Sequence, residues 1–302
     1  MIVSGGTWDV LPYKYREETI NELYWAFNTF GQEPLREMLT IEEEISINET
    51  SQYAVIGLTI ETRPDYINKT AIKSYLRWGI TRVQIGVQHY DDFILSKLDR
   101  GCYKKDTIRA IALMKSVGLK VVVHLMPDLP YSSPEKDIEM FDCALTDPDV
   151  QFDDLKIYPC AVVKSSRPDR IVKSTIAEWY ADGSYKPYSE NNIEDLVRVC
   201  KYYKTRAKPY VRIQRLVRDI PSTAIEAGDL GVMLSHMASA IKRIHGADSF
   251  TEAAAGNFEI ALYAQEALYV SGAAEFADNI HALMSLDVDG DITGSNLSLS
   301  SN

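Results

Sequence analysis

The chain has 302 residues, and 46% of them are hydrophobic, enough to fill the core of one large domain or two modest ones. A formal charge of -11 excludes a wholly basic nucleic-acid module but leaves room for a local basic groove. No apolar run approaches the roughly 20 residues that span a bilayer, and the N-terminus lacks the basic and apolar regions of a secretory signal. A cytoplasmic or nuclear location and no membrane partner are therefore expected. The four cysteines, Cys102, Cys143, Cys160 and Cys200, are widely spaced, as reduced thiols would be, and form no local iron–sulfur motif.

In chain order, Val3 ends a short strand before Gly5-Gly6-Thr7. Residues 12–30 read as a helix, since Ile20, Leu23, Tyr24 and Phe27 fall on one face. Tyr53–Thr62 reads as a strand broken by Arg63-Pro64, because a proline disfavours helix at the residue before it. A helix over 68–78 stops at Gly79, and Arg82–Gln88 is a strand. Helices near 91–98 and 105–117 precede a strand at Lys120–Met126, closed by Pro127 and Pro130. A helix over 134–146, a short strand at Leu155–Tyr158, a helix over 191–204 and a strand at Tyr210–Val217 complete the pattern.

Strands alternating with helices at this spacing predict βαβ units and a parallel sheet. A doubly wound sheet and a (β/α) barrel both satisfy the periodicity. Thr7, Glu61, Arg63, Gln88, His124, Asp128, Lys156 and Tyr158 all fall at or just after strand ends. Barrel topology would gather them at one mouth, which favours a full or partial barrel. Residues 1–231 are expected to form it. Beyond them, 232–286 reads as a helical extension, basic and amphipathic over 232–245 and Ala-rich over 251–284. Residues 287–302 read as a disordered tail. Asp287–Asp291 fails the EF-hand template, with Ile292 at loop position six and Ser298 at position twelve, so no metal site is expected there.

Eight strings in order resemble one family: SGGTW (4–8), INET with IGLTIETRPD (47–50 and 56–65), IGVQ (85–88), LDRG (98–101), HLMPDLP (124–130), LKIYP (155–159), YKPYS (185–189) and IQRLVRDIP (213–221). They are similar to the radical-SAM barrel of the Elongator catalytic subunit, the tRNA uridine acetyltransferases, over about residues 1–230. The resemblance implies an α/β fold, a partial (β/α) radical-SAM-type barrel. It implies installation of a carboxymethyl-type group on the wobble uridine of tRNA, with S-adenosylmethionine, a [4Fe–4S] cluster and acetyl-CoA as cofactors. Partners implied are tRNA and either further Elongator-type subunits or a second copy of the chain.

The same resemblance suggests site residues. Gly5, Gly6 and Thr7 look like the glycine motif that receives the cofactor's ammonium, where a side chain would block approach. Glu61 ends the next strand, where radical-SAM barrels of the coproporphyrinogen dehydrogenase type carry a carboxylate for the cofactor's amino-acid end. Arg63 and Arg100 are candidates for its carboxylate, and Gln88 and His124 resemble ribose-facing positions. Lys156 and Tyr158 are the catalytic candidates, since a lysine inside a barrel needs an anion or a partner carboxylate. Lys201, Lys204, Arg206, Lys208, Arg212, Arg215 and Arg218, interleaved with Tyr202, Tyr203 and Tyr210, suit phosphate neutralisation and base stacking on tRNA.

Two departures from the family qualify this. Its cluster cysteines belong to a strand and loop before SGGTW, so cluster ligands and the first barrel strand are expected to be missing here. Residues 232–302 also lack the strand and glycine-rich turn that would cradle the pyrophosphate of CoA. The chain is therefore expected to be a portion of the enzyme, inactive by itself; the competing reading is a non-catalytic tRNA-binding or scaffolding protein.

Overall fold

The computed structural model describes residues 1–3, 6–163, 174–216 and 225–228, and short backbone strands between 268 and 299. The chain divides into two compact units: residues 1–160 with 174–218, and residues 161–173 with 219–302.

The first unit opens with β1 (Ile2–Val3), then α1 (Tyr13–Thr29) and α2 (Ile41–Asn48). Sequence periodicity missed α2. Its signal is a capping box: the Thr40 side chain accepts from Glu43 N–H, and Glu43 reaches back to the Thr40 backbone. There follow β2 (Thr59–Thr62), α3 (Lys69–Arg77), β3 (Arg82–Gln88), α4 (Asp92–Lys97), α5 (Lys104–Ser116), β4 (Lys120–Leu125), α6 (Pro134–Thr146) and β5 (Asp154–Ile157). Most of these helices start on a side-chain cap, as with Asn68, Asp91 and Ser133. In the second unit β6 (Val162–Val163) pairs antiparallel with a strand at Ile225–Ala227. The first unit resumes with α7 (Thr175–Ala181), α8 (Tyr188–Asn191), α9 (Ile193–Lys204) and β7 (Arg212–Arg215).

The sheet runs β1-β2-β3-β4-β5-β7, parallel throughout. Each strand pairs with its neighbours in chain order and the order never reverses. A doubly wound sheet reverses at its switch point; a barrel-type sheet does not. The topology therefore resolves the ambiguity left by periodicity in favour of a curled parallel half-barrel.

Strand alternation sets its two faces. Val83, Ile85 and Val87 of β3 share parity with Val121, Val123 and Leu125 of β4 and Leu155 and Ile157 of β5, and all are buried. The other face carries Glu61, Gln84, Gly86, His124 and Lys156. Helix α1 packs on α2 through a buried carboxylate. Glu44 takes a two-pronged Arg36 contact at 2.6 and 2.6 Å, the Leu39 N–H at 3.0 Å and the Asn28 amide at 2.7 Å. Burial alone would raise its pKa; these donors outweigh that and hold it at about 2.

Between 268 and 299 the described residues are strands: β9 (Leu268–Ser271), β10 (Ala274–Glu275), β11 (Ile280–Ala282), β12 (Leu286–Asp289), β13 (Ile292–Thr293) and β14 (Leu297–Leu299), after β8, the Ile225–Ala227 strand above. They pair in parallel as β9 with β12, β10 with β13 and β11 with β14. The helical reading of 251–284 fails at β9 to β11, and the disordered reading of 287–302 fails at β12 to β14. Alternation in Leu286-Asp287-Val288-Asp289 is strand-like. The basic stretch 232–245 lies outside the described residues.

Candidate cofactor mouth

The C-terminal ends of β2 to β5 bring Glu61, His124 and Lys156 together, as the barrel topology predicts. Register places His124 beside Lys156, and Lys156 beside Arg215. Adjacent strands are about 4.8 Å apart, so three cationic or donor side chains form one row. His124 Nδ1 lies 3.8 Å from Glu61 Oε1. The Tyr158 ring meets the imidazole edge-on at 5.4 Å.

Gln84 holds this row together, and the sequence reading missed it. Lys156 Nζ donates to Gln84 Oε1 at 2.7 Å, and His124 Nε2 lies 3.0 Å from the same oxygen. Burial drives the pKa of Lys156 down, Glu61 opposes that, and Arg215 adds to it. The available signal was parity: Gln84 is a polar residue on the same face as Gly86 and Gln88, between apolar neighbours.

Gln88 has φ 72, and its Oε1 is buried with no hydrogen-bond partner among the described residues. A left-handed backbone at a residue other than glycine is strained, and an orphaned buried acceptor costs about 1–3 kcal/mol. Arg100 Nη2 donates to Gly86 O at 2.8 Å while its buried Nε is unpartnered among the described residues. Burial, and then the charge of Arg63, depress its pKa. Gly86 makes this approach possible, since a Cβ there would stand 2.8 Å from Arg100 Nη2.

Arg63 is committed elsewhere, with Nε and Nη2 on Asp65 at 2.9 and 2.8 Å; it is a rim ion pair with its fork filled. Gly6 is exposed with φ 98, and Thr7 heads a short 3-10 turn. Gly5 lies outside the described residues. Asp9, just after that string, anchors the turn by accepting from Arg16, Thr62 (2.7 Å) and Tyr75.

The basic run from 201 to 218 is split. Lys201 and Lys204 end α9, Arg206 stacks on Tyr202 at 4.0 Å, and Lys208 and Tyr210 donate to Gln151 ahead of β5. That is the N-terminal end of the sheet. Burial pulls the Lys204 pKa down to about 8, against its use as a surface phosphate contact. Arg212 begins β7 opposite Asp154, whereas Arg215 reaches the mouth beside Lys156. Arg218 lies outside the described residues.

The cysteines do not gather into a donor set. Cys102, Cys160 and Cys200 are buried, and burial lifts their thiols to about 11, 12 and 12. Among the described residues no three His, Cys, Asp or Glu side chains could hold a metal. These residues therefore do not fit an iron–sulfur cluster. The mouth does fit an amino-acid and ribose ligand, on the orphaned Gln88 acceptor and Arg100 donor.

A curled parallel half-barrel with polar groups converging at the strand C-termini defines a (β/α)-barrel-type fold. Residues 14–144 match the model of the Radical SAM superfamily, and residues 152–245 match that of the Radical_SAM C-terminal domain. The chain is 39% identical over 228 residues to a tRNA uridine(34) acetyltransferase of Methanocaldococcus infernus, covering 76% of this chain and 40% of that protein. It is 36% identical to Elongator complex protein 3 of Saccharomyces cerevisiae, covering 75% and 38%. The solved structure of archaeal Methanocaldococcus infernus Elp3 with an N-terminal deletion superposes with a TM-score of 0.69 at 37% identity, covering 79% of this chain and 53% of that one. The chain belongs to the Elongator catalytic subunit and tRNA uridine acetyltransferase family, of which it carries the radical-SAM portion. It spans less than half the length of these curated relatives, and family membership implies S-adenosylmethionine and a [4Fe–4S] cluster.

Proposed function

We propose that this chain supplies the S-adenosylmethionine-binding barrel of an enzyme that modifies the wobble uridine of tRNA, with acetyl-CoA providing the added group. The observation that carries this reading is the group Glu61, His124 and Lys156 toward the sheet's C-terminal edge, with the orphaned Gln88 acceptor at the end of β3. When bound, S-adenosylmethionine supplies radical chemistry. The chain's own residues bind and orient. Glu61 and the Gln88 carbonyl accept from ammonium and hydroxyl groups, with Gly6 and Thr7 lining the approach. Arg100 donates toward a carboxylate, and His124 faces the ribose. Lys156, with Tyr158 beside it, steadies an anionic group of the substrate.

Equilibrium dialysis with labelled S-adenosylmethionine tests this without turnover. Saturable binding is expected, weakened roughly ten- to a hundredfold by Glu61→Ala, because a hydrogen bond to a charged group contributes about 1.5–3 kcal/mol. No saturable binding, or an unchanged affinity in that variant, would remove the cofactor from this mouth.

For tRNA, the phosphate contact of interest is Arg215, the member of the basic run at the mouth. Arg215→Ala is expected to lower tRNA affinity and reduce its salt slope by about one. Arg206→Ala, at the opposite end of the sheet, should leave both unchanged. The reverse pattern in filter-binding titrations would move the RNA to the α9 end.

A further inference from the structure

We propose that Gln84 is a positioning residue that fixes the tautomer of His124 and the direction of the Lys156 ammonium at the mouth. The proposal deepens the cofactor reading and depends on it only for what the mouth binds.

The argument runs through hydrogen-bond capacity. Gln84 is 1% exposed, so its amide has no bulk water to fall back on. A lysine ammonium only donates. The Gln84 atom 2.7 Å from Lys156 Nζ must therefore be the carbonyl oxygen, which fixes the amide against rotation. That oxygen only accepts, and it lies 3.0 Å from His124 Nε2. His124 Nε2 must then carry the proton. In the neutral ring this leaves Nδ1 as an acceptor on the side of Glu61. Lys156 thus selects the amide orientation, the amide selects the imidazole tautomer, and the Tyr158 ring packed against the imidazole restrains it from turning over.

Gln84 also anchors Lys156 without cancelling its charge. A carboxylate at this position would neutralise the ammonium; a carboxamide leaves it able to attract an anion. The three residues stand on neighbouring strands β3, β4 and β5, so the relay is set by sheet register rather than by a loop.

The test is nitrogen NMR of the full chain labelled at histidine, where five histidines keep assignment tractable. Wild type is expected to show His124 as a single Nε2–H tautomer. Gln84→Met, which keeps the volume and removes the acceptor, should give averaged tautomers. Gln84→Glu should restore Nε2–H and raise the His124 titration midpoint by about one unit or more, because a charged partner favours imidazolium. A purely structural role would lower the melting temperature of the variants without touching these signals. Wild type as Nδ1–H, or an unchanged tautomer in Gln84→Met, overturns the proposal. Should Gln84→Met fail to fold, an unmoved titration in Gln84→Glu overturns it instead. Absent S-adenosylmethionine binding would sink the mouth reading while leaving the tautomer result standing.

Discussion

Replacing Asp137 with alanine is expected to cost about 3–5 kcal/mol of stability and to loosen the segment that carries Tyr185 to Ser189. Asp137 lies in the first turn of α6 and is fully buried. Its Oδ2 accepts from the Asp128 backbone N–H and the Tyr188 hydroxyl, both at 2.7 Å. Its Oδ1 accepts from the Ser132 hydroxyl at 2.5 Å and lies 3.4 Å from His89 Nε2. His89 receives the Asp91 N–H on Nδ1, and its buried Nε2 makes no hydrogen bond among the described residues. Alanine leaves the buried Asp128 N–H and the half-buried Ser132 and Tyr188 hydroxyls without their acceptor, and a stranded buried donor costs about 1–3 kcal/mol. Against a total stability of about 5–15 kcal/mol, that is a large fraction. Urea denaturation measures the loss, and hydrogen exchange at Tyr188 and Ser189 reports whether it is concentrated there. A loss below about 1 kcal/mol would mean that the network is held by other contacts.

That network also explains what the sequence could and could not show. The strings MPDLP and YKPYS were conspicuous as motifs, yet nothing in one dimension joins them. In the fold Asp128 joins them directly: its side chain accepts from the Tyr188 and Ser189 N–H groups and the Ser189 hydroxyl, and its carbonyl accepts from the Tyr185 hydroxyl. Strand identity was legible because β3 and β4 are rich in β-branched residues, β4 as a near-continuous apolar run, and are flanked by glycine or proline. The mouth residues at strand ends were legible for the same reason, since parallel topology sends all those ends one way. Gln84 was not, because a mid-strand glutamine between valine and isoleucine looks like an interruption until its partners on β4 and β5 are known. The basic run misled in the opposite sense. Eighteen consecutive residues suggested one surface, but the turn from α9 into β7 carries Lys201 and Arg206 to one end of the sheet and Arg215 to the other. Arg63 illustrates local competition: a fork suited to a ligand carboxylate is filled by a carboxylate two residues along.

The pH dependence of the same latch turns on Asp128. Burial pushes its pKa up to about 7, and the charge of Asp137 adds to that; the Ser189 hydroxyl and two backbone N–H groups pull the other way. An unfolded aspartate titrates near about 3.9. The folded state therefore holds the proton more tightly than the unfolded one. The stabilisation is full below about pH 4 and is lost as pH rises through about 7, at up to about 1.4 kcal/mol per pH unit. Glu44 has the opposite sign. Held at about 2, it contributes above the ordinary carboxylate range and loses that contribution as pH falls toward 2. Wild-type stability should accordingly decline on both sides of a mildly acidic optimum. Asp128→Asn removes the titrating group and keeps one carbonyl, for the Tyr188 N–H, with an amide NH2 toward Ser189 in place of the protonated acid; its stability relative to wild type should rise from about pH 4 to about pH 7 and level off above that. Denaturant midpoints collected for both proteins at each pH decide the matter. Parallel profiles would mean that Asp128 is ionised throughout, its three donors outweighing burial. A variant that gains on wild type as pH rises would mean that the latch between β4 and α8 is protonated in mild acid and weakest above about pH 7.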